Sequence, residues 1–163
     1  MIKKLSPSSL SDAFSIIESA IAKMNAENIF QWDEIYPDKG IIEKDIADGH
    51  AFGFFHLYEL KGYIALNEEY SPEYNSLEWK DKNGTSLIVH RLSINANYQG
   101  QGIAKELMLF AEKYAKDNGY SSIKLDAFLP NQAALSLYEK LGYTKVGMVT
   151  FRKGEFNCYE KIH

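Results

Sequence analysis

Apolar residues along the chain follow two periods. Over Ser8 to Asn25 they stand at Leu10, Phe14, Ile17 and Ile21, the spacing that lines one face of a helix. Pro7 suits its first turn, with Ser6 ahead of it as a cap. A second helix is expected from Asp38 to Asp48, closed by Gly49. A third, over Gly102 to Asn118, gathers Ile103, Leu107, Phe110, Ala111 and Tyr114 on one side and stops at Gly119. A fourth runs from Asn131 to Leu141, ending at Gly142. Strand patterns fill the rest. Residues 2–5 form a short one, and Thr85 to Ile94 (TSLIVHRLSI) is the clearest. Ala51 to Tyr58 and Gly62 to Asn67, separated by Glu59, Leu60 and Lys61, read as an antiparallel hairpin. Ser121 to Ala127 is a strand, and Tyr143 to Thr150 with Phe156 to Ile162 alternate like a closing hairpin. Phe30 to Pro37 has no usable period and is expected to be a loop. Glu68 to Gly84 is polar and broken by Pro72, Asn75, Asn83 and Gly84.

This order is a β-α-α-β-β-β half whose last strand also opens a β-α-β-α-β-β half. Strand–helix–strand units require some parallel pairing in an otherwise antiparallel sheet. The predicted class is α+β, in a single domain over residues 1–163. No Pro/Gly/Ser-rich linker or repeat divides the chain, and 163 residues suit one domain.

Charge and composition remove several function classes. The 18 basic and 22 acidic residues give a net charge of −4, and only Arg91 and Arg152 are arginines. Lysines scattered among acids do not make the basic stripe of a nucleic-acid binder, so no nucleic acid is expected as a partner. No apolar run reaches the length of a membrane span, and no membrane partner is expected. The start, MIKKLSPSSLSD, lacks the apolar stretch of a signal peptide. With that start and one cysteine, Cys158, a reducing cytoplasm is the expected location. The histidines, at 50, 56, 90 and 163, are dispersed, with no HExxH and no Cys pair, and no metal is expected. A G-x-S-x-G elbow is also missing, which disfavours a hydrolase triad. Eleven Tyr, nine Phe and two Trp make the chain rich in aromatic residues.

Chemistry concentrates at the end of the clearest strand, in Ile94-Asn95-Ala96-Asn97-Tyr98-Gln99-Gly100-Gln101-Gly102-Ile103-Ala104. A strand ends, a glycine-containing turn follows, and a helix begins. Such a turn presents backbone N–H groups at a helix N-terminus, a ready site for an anion. Glycines at 100 and 102 let the backbone approach a phosphate closely. A tight turn with no ligand would also explain two glycines. The Walker pattern GxxxxGK[ST] is missing, and a Rossmann G-x-G-x-x-G would need glycine where Lys105 stands.

Gln99-x-x-Gly102-x-Ala104 resembles the [QR]-x-x-G-x-[GA] pyrophosphate loop of the GNAT superfamily of acyl-CoA-dependent N-acetyltransferases. Downstream, Asn131 to Tyr143 (NQAALSLYEKLGY) is similar to that family's second signature, N-x-x-A-x-x-L-Y-x-K-x-G-[FY]. The resemblance implies a GNAT-like three-layer α/β/α fold. Its central sheet would be mixed, mostly antiparallel and V-splayed, with about seven strands and four helices. It implies acetyl-CoA as cosubstrate, without a metal. Leu92, Ser93 and Ile94 would pair with the pantetheine arm, Gln99, Gly100, Gln101, Gly102, Ile103 and Ala104 would hold the pyrophosphate, and Asn131 would contact the pantetheine or the reacting end. Acetyl transfer to a primary amine of a small molecule or peptide, by direct attack in a ternary complex, is the activity implied. A non-catalytic acyl-CoA-binding sensor or scaffold is the alternative.

Tyr138 matches the family position of the general acid, and a phenol is protonated at neutral pH; core packing on its helix is the other reading. The strand before the loop holds no acid, so the base stays open among His90, Glu34, Glu78 and a water chain. Phe30, Trp32, Glu34 and Tyr36, beside Asp33 and Asp38, could wall a site for a cationic amine through cation–π attraction, or form an aromatic lid over the core. Dimers are common in the family, and Val146, Val149 and Phe151 could serve a homodimer or the core.

Overall fold

The structure is a computed structural model and describes residues 1–163. Four α-helices accompany one open, mixed sheet of seven strands, in the spatial order Ile2–Lys4 (β1), Ala51–His56 (β2), Glu59–Asn67 (β3), Ser86–Ile94 (β4), Ser122–Phe128 (β5), Gly154–Ile162 (β7) and Thr144–Phe151 (β6). The chain divides into two compact units, Met1–Leu66 with His90–Ala111, and Asn67–Val89 with Glu112–His163.

In the first unit, β1 (Ile2–Lys4) pairs antiparallel with β2 (Ala51–His56), which pairs antiparallel with β3 (Glu59–Asn67). The β2–β3 turn corrects the sequence reading. Glu59, Leu60 and Lys61 belong to β3, and the connection is Leu57-Tyr58, both with positive φ (50° and 67°). Two left-handed residues match the twist of the strands, yet neither Leu nor Tyr signals a turn.

Helix α1 (Leu10–Ala26) follows a single 3-10 turn at Pro7–Ser9. Ser6 does not cap it through its side chain; its Oγ meets Ser8 Oγ at 2.8 Å instead. The buried residues of α1 are Ala13, Ile16, Ile17 and Ala20, so the predicted stripe keeps Ile17 but is rotated around it. Leu10, Phe14 and Ile21 flank the contact while small alanines let the helix sit close. Helix α2 (Lys39–Ala47) starts where Asp38 accepts a hydrogen bond from Ile41 N at 2.9 Å, the expected use of an Asp cap. These elements enclose a core of Leu5, Ile16, Ile17, Ile42, Ile46 and Tyr63, against which Trp32 packs.

Gly62 on β3 permits a close approach. A Cβ there would lie 2.9 Å from Leu107 Cδ1 and 3.0 Å from Ile103 Cγ2. Any side chain would push on the first turns of α3 (Ile103–Asp117).

In the second unit, β5 (Ser122–Phe128) pairs antiparallel with β7 (Gly154–Ile162) along its whole length. β6 (Thr144–Phe151) pairs antiparallel on the far side of β7. The parallel pairing joins Ser86–Ile88 of β4 (Ser86–Ile94) to Ser122–Lys124. Val149 is buried, and the half-buried Phe151 ring lies 5.1 Å from that of Phe156, so both pack within this unit. Residues 68–84 include a 3-10 turn at Pro72–Ser76 and two buried aromatics, Tyr74 and Trp79. Glu160 anchors the segment by accepting from Lys80 N and Asp81 N at 2.9 and 3.0 Å. Helix α4 (Gln132–Lys140) completes the unit.

Candidate active site

The first unit holds the strand–turn–helix segment. Ser93 and Ile94 are buried near the end of β4 and Leu92 is half-buried. After them the backbone is fixed on several sides. Asn95 N donates to Lys61 O at 2.9 Å, Ala96 N to Ser19 Oγ of α1 at 3.2 Å, and Asn97 N to the Asn95 side chain at 2.9 Å. The Lys61 ammonium lies 4.0 Å over the Tyr98 ring, whose hydroxyl donates to Glu59. Gln99 folds back, its Nε2 donating to Ile94 O at 3.2 Å.

Gly100 and Gly102 have φ of 79° and 84°, and a Cβ on either would meet nothing within 4 Å. The left-handed backbone explains the glycines, and the open space lies where an anion could meet the turn. Gln99, Gly100, Gln101 and Gly102 are exposed, Ala104 is half-buried, and Ile103 is buried as an anchor. The first amide N–H groups of α3 have no intrahelical acceptor, as at any helix start, and face the end with positive dipole.

One feature of β4 was not legible in the sequence. Arg91 adopts φ 53° in mid-strand, a conformation that costs a non-glycine residue ~1–3 kcal/mol and persists only where its surroundings enforce it. Its side chain supplies the enforcement. Nε and Nη2 donate to the two carboxylate oxygens of Asp45 at 2.8 and 2.6 Å, and Nη1 donates to Tyr36 Oη at 2.8 Å. Tyr63 Oη donates to the same carboxylate at 2.6 Å. Burial opposes the guanidinium charge, but the hydrogen bonds and charges of Asp45 and Tyr36 outweigh it and hold the group above its ordinary pKa.

Through Arg91, Tyr36 is tied to β4. Its neighbours in the 30–37 loop differ. Phe30 is 52% exposed, Glu34 is exposed, and Trp32 packs on the core. His90 stands half-buried beside Arg91. Glu78, in the second unit, has its side chain 87% exposed and pairs with Lys82 at 3.2 Å.

The second unit holds Asn131 and Tyr138. Asn131 is the N-cap of α4, its Oδ1 accepting from Ala134 N at 3.2 Å; that oxygen is therefore engaged by the helix. Tyr138 lies two turns further on, 6% exposed, its ring 6.0 Å from those of Tyr143 and Tyr159. Burial first, then the nearby Asp126 and Tyr159, push its hydroxyl above the ordinary phenol value. It is protonated at neutral pH and able to donate.

Asp126 was missed. In SSIKLDAF the polar Ser122, Lys124 and Asp126 alternate with apolar residues, which reads as a solvent face. The 68–84 segment covers that face instead. Tyr74 Oη donates to Asp126 Oδ2 at 2.6 Å, and Trp79 Nε1 donates to Tyr74 O at 2.8 Å. Opposite Asp126 in the β-ladder stands Cys158, fully buried. Burial raises the Asp126 carboxyl above the usual range despite the Tyr74 bond, and burial with Asp126 pushes the Cys158 thiol up to about 12. Two aromatic residues inside a breaker-rich stretch were the available signal for this cover. No group of three or more His, Cys, Asp or Glu side chains could hold a metal ion, and no helix is long and apolar enough to cross a membrane.

The acetyltransferase (GNAT) family model matches residues 17–143. N-acetyltransferase 8 of Mus musculus is 41% identical over 61 residues, which are 37% of this chain and 27% of that protein. The chain thus spans little more than a quarter of such curated relatives. An acetyltransferase of the GNAT family from Streptococcus agalactiae has a TM-score of 0.86 at 24% identity, covering 100% of this chain and 95% of that one. The PaiA N-acetyltransferase of Thermoplasma acidophilum, whose crystal structure is a complex with coenzyme A, has a TM-score of 0.76 at 22% identity, with 100% and 98% covered. These two likenesses are of fold.

Proposed function

Because the chain belongs to the acetyltransferase (GNAT) family, we propose that it transfers an acetyl group from acetyl-CoA to a primary amine of a small molecule or peptide, by direct attack while both are bound. The Gln99–Ala104 turn carries this reading. Two left-handed glycines open onto free space at the start of a 15-residue helix, which fits the pyrophosphate of a coenzyme A. The Thermoplasma relative, solved with coenzyme A, supports the same ligand.

Acetyl-CoA supplies the thioester that activates the acyl group; the rest falls to this chain. Leu92, Ser93 and Ile94 offer strand backbone to the pantetheine arm, and backbone amides of residues 100–104 neutralise pyrophosphate charge. Asn131 fixes the start of α4, and Tyr138 on that helix holds a proton for the departing thiolate.

The test mixes protein and acetyl-CoA with polyamine, aminoglycoside and peptide N-terminal amines, with neutral alcohols as controls. Free thiol and product mass are read together. Thiol release with an acetylated amine is expected. Coenzyme A binding without release for any acceptor would refute the transferase reading.

A further inference from the structure

Stability alone does not account for the arginine in the middle of β4. A glycine at position 91 would reach φ 53° without strain, and well-packed apolar residues in place of a buried ion pair are often as stable or more so. The chain instead places Arg91 there and surrounds its side chain. Asp45 accepts from Nε and Nη2 at 2.8 and 2.6 Å, and Tyr36 Oη accepts from Nη1 at 2.8 Å. These acceptors are themselves fixed. Asp45 lies on the buried face of α2 with Ile42 and Ile46, and its Oδ2 also accepts from the fully buried Tyr63 of β3 at 2.6 Å. Tyr36 belongs to a closed turn, in which Asp33 N donates to Tyr36 O at 3.0 Å and Asp33 Oδ1 accepts from Ile35 N and Tyr36 N at 3.0 and 3.2 Å.

The bend is closed from within the strand as well. The buried Ser93 hydroxyl donates to Arg91 O at 3.0 Å, and Gln99 Nε2 donates to Ile94 O at 3.2 Å. Side chains therefore occupy the carbonyls at both borders of residues 92–94. What the left-handed residue decides is the direction of the peptide groups that follow it. A positive φ at 91 turns the strand about one N–Cα bond, so the peptides of Leu92, Ser93 and Ile94 face differently from those of a regular strand. These are the residues whose backbone pairs with the pantetheine arm in the proposed function.

We infer that Asp45 and Arg91 are positioning residues for the cosubstrate: their ion pair holds residue 91 left-handed, so that the backbone of Leu92–Ile94 is set for the pantetheine arm before it binds. The inference rests on the coenzyme A reading and adds to it a residue of α2 that lies outside both sequence signatures. Neither side chain is required to touch the ligand. Their contribution is preorganisation. Without the pair, a residue with a Cβ at 91 relaxes toward negative φ, and the ligand has to restore the bend at the expense of its own affinity.

The test separates the backbone from the ion pair with two double variants, Asp45→Asn with Arg91→Gly and Asp45→Asn with Arg91→Ala. Both lose the same contacts with the guanidinium, and in both the Asn keeps an acceptor for Tyr63. They differ in whether residue 91 can stay left-handed without support. Coenzyme A affinity is read by calorimetric titration, and circular dichroism verifies the fold. The alanine form should bind coenzyme A about tenfold more weakly than the glycine form. Equal affinity of the two would overturn the inference, because a pair that only stabilises the fold is equally absent from both. If either double variant fails to fold, Asp45→Asn alone decides. Weaker binding than wild type is then expected, and wild-type affinity overturns the inference. Wild-type protein that binds no coenzyme A would sink the coenzyme reading together with the inference, whereas equal affinity of the two double variants leaves that reading standing.

Discussion

Replacing Asp45 with Ala removes the shared acceptor of the Arg91 network. The side chains of Arg91 and Asp45 are 10% and 7% exposed, so neither has water to fall back on. Deleting one partner of a buried pair costs ~3–5 kcal/mol, because the remaining charge stays buried without compensation. Here the loss also strands the Tyr63 hydroxyl, which is fully buried and donates to the same carboxylate. The expected destabilisation is therefore ~4 kcal/mol, or a fall of roughly 8–16 °C in Tm for a chain of this size. An internal control is Asp117→Ala. It breaks the Lys113–Asp117 pair, whose side chains are 76% and 59% exposed, and such pairs contribute ~0.3–0.5 kcal/mol. Urea denaturation should show a large fall in midpoint for Asp45→Ala with an unchanged slope, and almost none for Asp117→Ala. Similar midpoints for the two variants would refute the reasoning, because the buried network would then contribute no more than a surface pair. A double replacement, Asp45→Leu with Arg91→Met, should recover much of the loss, since no charge is then left unpaired.

Further outcomes follow from other residues. Tyr138→Phe should lower kcat by about 100-fold or more while leaving coenzyme A affinity unchanged; an unaltered kcat in single-turnover measurements would remove Tyr138 from the chemistry. Gly102→Ala forces a side chain into a left-handed backbone at φ 84°, so stability should fall by ~1 kcal/mol and coenzyme A should bind more weakly, as read by calorimetry. Gly62→Val, crowding Ile103 and Leu107, should cost ~1–3 kcal/mol and also weaken coenzyme A binding, although residue 62 lies outside the turn. Asp126 has a folded-state pKa raised by burial, so its ionisation costs stability as pH rises through and above the ordinary carboxylate range. Asp126→Asn should therefore raise Tm at pH 7, with the gain shrinking below about pH 4, where the carboxyl is protonated in both states. A Tm gain that persists unchanged at pH 3 would contradict this.

Local signals were legible where one element carried its own pattern. The helices at 10–26 and 103–117 were readable because their apolar residues recur on one face, that at 132–140 had Gly142 to mark its end, and the Gln99–Ala104 turn was readable because its glycines interrupt a strand–helix junction. Features that depend on distant residues were not. Arg91 and Asp45 lie 46 positions apart, and nothing local tells that a basic residue in β4 will be buried against α2. Asp126 reads as solvent-facing until a segment some 50 residues earlier covers it; Tyr74 is 52 positions away. Leu57-Tyr58 escaped because the turn is imposed by the pairing of β2 with β3, while both residues favour strands.

The lone thiol of Cys158 has a practical consequence. It is fully buried in β7 between β5 and β6, and its pKa is pushed up to about 12, so in the native state it has neither access nor thiolate character. A thiol-reactive dye can reach it only after β7 opens. Because there is no second cysteine, the rate of labelling in native buffer is a direct clock for that opening. It reports the free energy of separating the strand that carries the Asp126 neighbourhood, without denaturant and without any engineered probe.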